Sequence, residues 1–433
     1  MNEREIILET LLLIEKGEDF SNRIITDVLD KYAYMDRQHR GFIKRVCEGC
    51  VEYRIRLDHV IDCYSKTKTG RMKPVILCIL RMSVYQLLYM DSVPASAVCN
   101  EAVKLAVKKG FGPLKGFVNG VLRSIARNLD KIPYPDAAKD PILHDVVEYS
   151  MPEELVRHFR THYPERAEAI MRSFFKEAGV TVRRMISKTE EAELMQMAGD
   201  TLTKLPPLPD LAKQETAYSV KGIGITEMQA FTDGLLQVQD QASMQAVAQL
   251  SLKAGDTVLD VCAAPGGKCI QAADVLCKLG NGTVTACDRS EKKTALIREN
   301  AKRCHMDNLR IEVADATERV DSYVNYADVL IADLPCSGLG IIGRKADIKY
   351  HMTGKQMEEL VVLQRAILSN IADYVKADGT LLYSTCTLNP AENEEQAKWI
   401  SENLPFTLKE MHQIFPGEHN DGFFFAVFTK KQG

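Results

Sequence analysis

Over the first 130 residues, apolar side chains recur at the three-and-four spacing of helices. The stretch 97–109, AVCNEAVKLAVKK, sets Val98, Ala102, Leu105 and Ala106 on one face, and Gly110 follows as a C-terminal cap. FVNGVLRSIARNL repeats the pattern with Phe117, Val118, Val121, Leu122 and Ile125, while Arg123 and Arg127 face away. This predicts an all-α bundle of five or six helices over 1–130. The run KIPYPDAAKDP (131–141), with three prolines and two aspartates, breaks the pattern, and 131–149 reads as a linker. Residues 150–235 are mixed: a helix over 151–176, a strand over 180–186 (VTVRRMI), and a proline-rich loop over 205–210 (LPPLPD). They predict a small α+β domain. From 236 to 433, strands at 256–261, 283–288, 309–315, 326–335 and 379–386 alternate with helices at 267–279, 291–304 and 355–376. Alternation of this kind predicts a mostly parallel, doubly wound α/β sheet. Right-handed crossovers bring the carboxyl ends of its strands to one edge, where ligands bind.

Composition narrows the class. Of 433 residues, 45% are hydrophobic and 26% charged, as in soluble globular proteins. No apolar run approaches the roughly 18–20 residues of a membrane span. The N-terminus is acidic without the layout of an export signal, so a cytoplasmic protein is expected, with reduced thiols and no membrane partner. A monomer is expected. Of the twelve cysteines, Cys47 and Cys50 form the one CxxC that suggests a metal; no second pair stands at zinc-ligand spacing, and buried helix-face thiols are expected instead, with no metal. The net charge of −4 is uneven: residues 31–130 hold 18 Lys and Arg against 8 Asp and Glu. A basic helical segment suits a polyanion such as RNA, although a solvated basic face has the same signature.

The first strand of the α/β domain ends at Asp260 and leads into Val261, Cys262, Ala263, Ala264, Pro265, Gly266, Gly267 and Lys268. Small residues there let a ligand approach the backbone, and the turn opens a helix whose free N–H groups favour an anionic group. Asp288 ends the second strand, 21 residues after Gly267, where an acidic residue grips ribose hydroxyls. Asp315, at the end of the third, is placed to accept from an adenine amino group. The G-x-G-x-x-G spacing of nicotinamide sites is absent, and Lys268 lacks the flanking residues of a P-loop.

Two cysteines fall on the same edge: Asp333-Leu334-Pro335-Cys336 closes the fourth strand and Thr385-Cys386 the fifth. A lone buried cysteine is ordinarily inert core, but two beside a cofactor loop suggest covalent catalysis. Carbon 5 of cytosine is too weak a nucleophile to attack a methyl sulfonium unaided. A thiolate added at carbon 6 makes it enamine-like. A carboxyl such as Asp333 could protonate the ring near N3, and a second thiol could serve as base in releasing the product. After Cys386, Asn389, Pro390 and Glu392 read as a helix start with a capping box.

LDVCAAPGGK, ACDRS, ADAT, IADLPCSGLG and YSTCTLNPAENEE together resemble the signature motifs of the RNA cytosine-C5 methyltransferases, in order over about 200 residues. The resemblance implies a Rossmann-like class I methyltransferase domain using S-adenosyl-L-methionine. It implies that Cys386 is the nucleophile and Cys336 the thiol assisting release. The family's cofactor contacts map onto Cys262 through Lys268, then Asp288, Asp315 and Asp333. Residues 1–130, including FVNGVLRSI, are similar to the NusB-like RNA-binding domain, and QVQDQAS (237–243) also fits. That fusion resembles the bacterial Sun or RsmB type, which implies as partner 16S ribosomal RNA, naked or partly assembled, methylated near the P site. The family often has Arg-Arg-x-Pro-Asp-Ile after the Pro-Cys motif. Here Gly343-Arg344-Lys345-Ala346-Asp347-Ile348 stands, leaving Arg344 to meet a phosphate or a base edge.

Other readings are another RNA such as tRNA, a DNA cytosine-C5 methyltransferase, or a ribosome assembly factor without activity. The Thr-Cys motif and the NusB-like region argue against the DNA enzyme. Intact thiols and acidic strand ends argue against an inactive factor.

Overall fold

Helices form where the apolar spacing predicts them in the computed structural model, which describes all residues except 1, 18, 177, 178, 212 and 433. The chain divides into two units: Met1–Phe175 with Arg344–His351, and Lys176–Gly343 with Met352–Gly433.

In the first unit, seven α-helices precede residue 130, more than the five or six expected: Glu3–Glu15, Ser21–Lys31, Arg37–Glu52, Arg54–Tyr64, Pro74–Tyr89, Ala95–Lys108 and Lys115–Ala126. Val98, Ala102, Leu105 and Ala106 are buried, as are Val118, Val121, Leu122 and Ile125; Phe117 is half-buried against the same core. The helix ending at Lys108 closes as a Schellman motif, with Gly110 N donating to Val107 O (3.0 Å) and Phe111 N to Ala106 O (2.9 Å). Cys47 and Cys50 lie in this core, and burial raises both thiol pKa values. Among the described residues, no group of three or more His, Cys, Asp or Glu is placed to hold a metal ion.

The expected linker is partly helical. Pro141 opens the helix Pro141–Glu148, capped by Asp140, whose side chain accepts from Leu143 N (2.9 Å). Proline at a first helical position needs no N–H, so this proline marks a start where the sequence suggested a break. The helix expected over 151–176 is two, Glu153–His162 and Ala167–Ser173, interrupted around Pro164. Both belong to the helical unit, so the boundary falls at Phe175 and not at residue 149. The unit also takes in Arg344–His351. Ser21 N donates to Asp347 Oδ2 (2.5 Å), Lys349 Nζ to Glu52 O (2.7 Å), and Tyr350 OH to Val51 O (2.9 Å). Arg344, expected to meet a phosphate or a base edge, is exposed, while Asp347 and Lys349 after it are buried within the helical unit.

The second unit holds two sheets. The smaller is antiparallel, with strands β1 (Val180–Arg184), β2 (Leu202–Lys204), β3 (Ala217–Val220) and β4 (Leu236–Val238) in the order β2-β3-β1-β4. The larger has seven: β5 (Thr257–Asp260), β6 (Thr283–Asp288), β7 (Leu309–Val313), β8 (Ala327–Asp333), β9 (Val375–Thr385), β10 (Phe406–Ile414) and β11 (Phe423–Lys430). Their order is β10-β11-β9-β8-β5-β6-β7; β5 to β9 are parallel and β11 runs against β9 and β10. The hairpin β10–β11 was not among the expected strands. Phe423, Phe424, Phe425 and Phe428 are all buried, because both faces of that strand are covered, so the polar alternation that reveals a half-exposed strand is missing. Gly267–Leu279 and Glu291–Arg303 cover one face of the sheet, while Gly354–Ile371 and Glu394–Asn403 cover the other. The order reverses at β5, which puts the switch point between β5 and β8.

Candidate active site

The switch point gathers most of the residues singled out from the sequence. Residues 261–266 form the turn after β5, and Gly266 adopts φ +112° as it passes into the helix Gly267–Leu279. Ala263 N donates to Cys287 O (2.8 Å), and Ala264 N reaches Asp288 Oδ2 (3.3 Å), which ties the turn to the end of β6. Lys293 Nζ lies 3.3 Å from the other Asp288 oxygen. Burial raises the Cys262 thiol pKa, so that side chain is a neutral wall.

Asp260 closes β5 beneath this turn. Its Oδ1 accepts from Cys262 N (3.4 Å), while its buried Oδ2 has no hydrogen-bond partner among the described residues. Burial first, and the neighbouring Asp333 next, push its pKa up to about 8. An uncompensated acceptor in a Gly-rich turn fits a ligand that brings its own positive charge or N–H donors. Asp260 was read from the sequence only as a strand end.

Asp315 follows the end of β7, where Ala314 N donates to Asp288 O (3.1 Å). β7 stops at Val313, two residues short of the expected end, and Asp315 turns back to accept from Thr317 Oγ1 (2.7 Å) and Thr317 N (2.9 Å). Those two bonds lower its pKa.

Lys268 was grouped with the cofactor loop, but its ammonium lies toward β8. Nζ is 2.7 Å from Asp333 Oδ2 and 4.8 Å from the centre of the Phe423 ring. Ser384 Oγ donates to the other Asp333 oxygen at 2.7 Å. Each Asp333 oxygen thus has one partner, a buried cation on one and a hydroxyl on the other, and the side chain stays partly exposed. Ser384 falls within the YSTC motif but was given no role, and Phe423 had no signal in the sequence, since both act through strand neighbours.

Cys336 and Cys386 leave adjacent parallel strands, β8 and β9, and their Sγ atoms are 3.3 Å apart. Both are partly exposed. The hydrogen bond with Cys386, then burial, raises the Cys336 pKa well above that of an ordinary thiol. The two thiols share a hydrogen bond in which either sulfur can donate. Cys386 is fixed by its neighbours: Thr385 Oγ1 donates to Asn393 Oδ1 (2.6 Å), and Asn393 Nδ2 donates to Thr387 O (3.0 Å).

The capping box expected after Cys386 does not form. Asn389 Oδ1 accepts from Ala391 N (3.3 Å), but Pro390–Glu392 is a single 3-10 turn and the next helix begins at Glu394. The Glu392 carboxylate, read as half of that cap, instead meets Ser337, Gln364 and Asn389. Long-range partners outbid a local one here.

The helical unit has its own polar groove. Asn100, Val103, Lys104, Lys115, Gly116, Asn119 and Arg123 line about 490 Å³ between the last two helices before residue 130. Arg123 donates to Asn119 Oδ1 (2.9 Å) and Lys104 pairs with Glu101 (2.8 Å).

Known proteins share this architecture. Residues 247–429 match the family described as 16S rRNA methyltransferase RsmB/F, and residues 1–127 match the NusB family. The chain is 36% identical over 450 residues to the probable ribosomal RNA small subunit methyltransferase B of Bacillus subtilis (strain 168), covering 99% of this chain and 98% of that protein. It is 29% identical over 407 residues to the ribosomal RNA small subunit methyltransferase B of Vibrio cholerae serotype O1, covering 91% and 90%. The crystal structure of PH0851 matches with a TM-score of 0.79 at 22% identity and covers 99% of both chains. That of NSun6 from Pyrococcus horikoshii with SFG has a TM-score of 0.57 at 21% identity, covering 65% of this chain and 99% of that one. At such identities the likeness to these two structures is one of fold. No helix among the described residues is long and apolar enough to cross a membrane.

Proposed function

This chain belongs to the RsmB/F family of 16S rRNA methyltransferases, with a NusB-family domain ahead of the catalytic one, and from that premise we propose that it methylates carbon 5 of a cytosine in 16S ribosomal RNA through a covalent bond between Cys386 and carbon 6. The observation that carries the proposal is the 3.3 Å separation of the Cys336 and Cys386 sulfurs at the sheet edge.

S-Adenosylmethionine supplies the methyl group as an electrophilic sulfonium. Asp260 is suited to its ammonium group, Asp288 to the ribose and Gly266–Gly267 to close backbone approach, with Asp315, next to the Ala314 that bonds Asp288 O, the candidate for the adenine. Cys386 attacks as the thiolate, the nucleophilic form of a thiol. Attack on carbon 6 pushes an electron pair toward N3. The Lys268–Asp333 pair holds the proton that N3 then takes up. Once carbon 5 carries the methyl group, its proton must leave. Cys336, its own proton given up to solvent, accepts the carbon 5 proton as the C6–S bond breaks, and N3 returns its proton to the Lys268–Asp333 pair, which restores the aromatic ring and regenerates the Cys386 thiolate.

Access to carbon 6 requires the base to leave its stack, at a cost of a few kcal/mol that is least in a loop. A hairpin loop of naked or partly assembled ribosomal RNA is therefore the substrate that fits. Lys104, Lys115 and Arg123 around the helical groove supply phosphate contacts, so affinity should fall steeply with salt.

The test is methyl transfer to a 16S rRNA fragment, with bisulfite mapping of the product and a denaturing gel for protein–RNA adducts. Cys386→Ala is expected to abolish transfer. Cys336→Ala is expected to accumulate the adduct. An active Cys386→Ala beside an inert Cys336→Ala, or a product methylated elsewhere than carbon 5, refutes the proposal.

A further inference from the structure

One buried carboxylate in the catalytic unit touches neither sulfur, yet it joins the backbone that carries each. Glu392 Oε2 accepts from Ser337 N (2.9 Å) and Gln364 Nε2 (2.9 Å). Glu392 Oε1 accepts from Asn389 Nδ2 (2.9 Å) and bonds Ser337 Oγ. Ser337 directly follows Cys336, and Asn389 stands three residues after Cys386. Ser337 Oγ also meets Thr387 Oγ1 at 2.5 Å. Gln364, from the long helix behind the sheet, donates as well to Pro335 O (2.9 Å), on the other side of Cys336. The residues either side of Cys336 are thus both tied to one carboxylate and its partner amide. Tyr383 OH locks the Glu392 peptide by donating to its carbonyl (2.5 Å). Glu392 is fully buried.

Cys386 has anchors of its own in Asn393 and the β9 ladder; the turn bearing Cys336 is held further along by Gly340 N on Cys386 O (3.0 Å), but next to the sulfur itself, at Pro335 and Ser337, by this hub. We infer that Glu392 is a positioning residue that holds the Cys336 turn in register with Cys386, and so governs release of the covalent intermediate more than its formation. The inference rests on the two-thiol reading above. A misplaced release thiol leaves attack by Cys386 and methyl transfer in place and delays only removal of the carbon 5 proton and cleavage of the C6–S bond.

Glu392→Gln tests it in the full chain. The amide offers one acceptor oxygen. Turned either way, its NH2 group opposes at least one N–H donor, Asn389 Nδ2 on one side or Ser337 N and Gln364 Nε2 on the other. The expected result is a ratio of covalent adduct to released methylated RNA at least about tenfold above wild type, with cofactor affinity and KM for RNA close to wild type. Ser337→Ala, which removes one donor and keeps the backbone N–H, should raise the ratio by a smaller factor of about three. A lower turnover with an unchanged ratio makes Glu392 a purely structural residue and overturns the inference, as does unchanged turnover. If Glu392→Gln does not fold, as judged by cofactor binding, Ser337→Ala decides, and an unchanged ratio there overturns the inference. Wild-type protein that forms neither adduct nor 5-methylcytosine sinks the two-thiol reading itself.

Discussion

Gly340 is where a single methyl group should do most damage to the candidate site. It lies in the turn after Cys336, with its N–H donating to Cys386 O (3.0 Å) and its carbonyl accepting from Gly422 N (2.9 Å). A Cβ at this position would sit 2.1 Å from Gly422 O and 2.8 Å from Cys386 O. Both are backbone atoms, so no side chain can swing aside, and a Gly340→Ala chain must part by about 1 Å in a region packed at crystal density. Overpacking costs about 1–3 kcal/mol, and each buried backbone hydrogen bond left unmade adds about 1–3 kcal/mol. With one such bond lost, the expected total is about 2–6 kcal/mol, against about 5–15 kcal/mol for a whole domain. Whatever strain is relieved by moving Cys336 or Cys386 reappears in the chemistry, where a misplacement of about 1 Å can cost about a hundredfold in rate. Urea unfolding and methyl transfer on the same preparation read both quantities. Gly41→Ala is the control: it lies inside the helix Arg37–Glu52, its Cβ would meet nothing within 4 Å, and it should be neutral or slightly stabilising. Wild-type stability and wild-type activity in Gly340→Ala would refute the reasoning.

Three further outcomes are expected. Arg183 and Asp274 form a fully buried ion pair at 2.7 Å, so Arg183→Met should destabilise the catalytic unit by about 3–5 kcal/mol in urea unfolding, with Arg183→Met/Asp274→Leu less affected; a neutral single variant sinks this. Asp260, at about 8, keeps its proton when folded across the range in which an unfolded aspartate, at 3.8, has lost it. Cofactor-free stability should therefore fall as pH rises from about 4 to 8, by up to ~1.4 kcal/mol per pH unit from this group, and Asp260→Asn should flatten that slope; an unchanged slope contradicts it. Lys349 runs the other way. Burial lowers its pKa from 10.5 to about 7, so the unfolded chain holds the extra proton between those values and stability rises with pH across them. Lys349→Met should remove that rise from thermal melts of the full chain, and a melt series still rising as steeply refutes the assignment.

Much of this protein could be read along the chain, because local patterns encode local geometry. The apolar stripe of 97–109 specifies a helix face whichever partner covers it, and all four residues assigned to it are buried. Alternating strands and helices after residue 236 imply a parallel sheet, and a parallel sheet places the ends of β5, β8 and β9 on one edge. That chirality alone brings the segments bearing Asp260, Asp333, Cys336 and Cys386 together.

Other features depend on contacts between residues far apart in the chain, which no local pattern encodes. Glu392 has the spacing of a helix cap and becomes instead the hub of the Cys336 turn, because Ser337 and Gln364 reach it from distant segments. Lys268 belongs to the Gly-rich turn in sequence, but in space it neutralises Asp333, 65 residues away. Phe423 to Phe425 sit in a strand covered on both faces, so no polar alternation announced it. Arg344–His351 lies between two catalytic strands in sequence yet packs into the helical unit, since the buried Lys349 finds its acceptor on Glu52. Periodicity and turn residues report on a segment's own backbone. A buried charge is placed by whichever partner can satisfy it, and that partner is known only once the chain has folded.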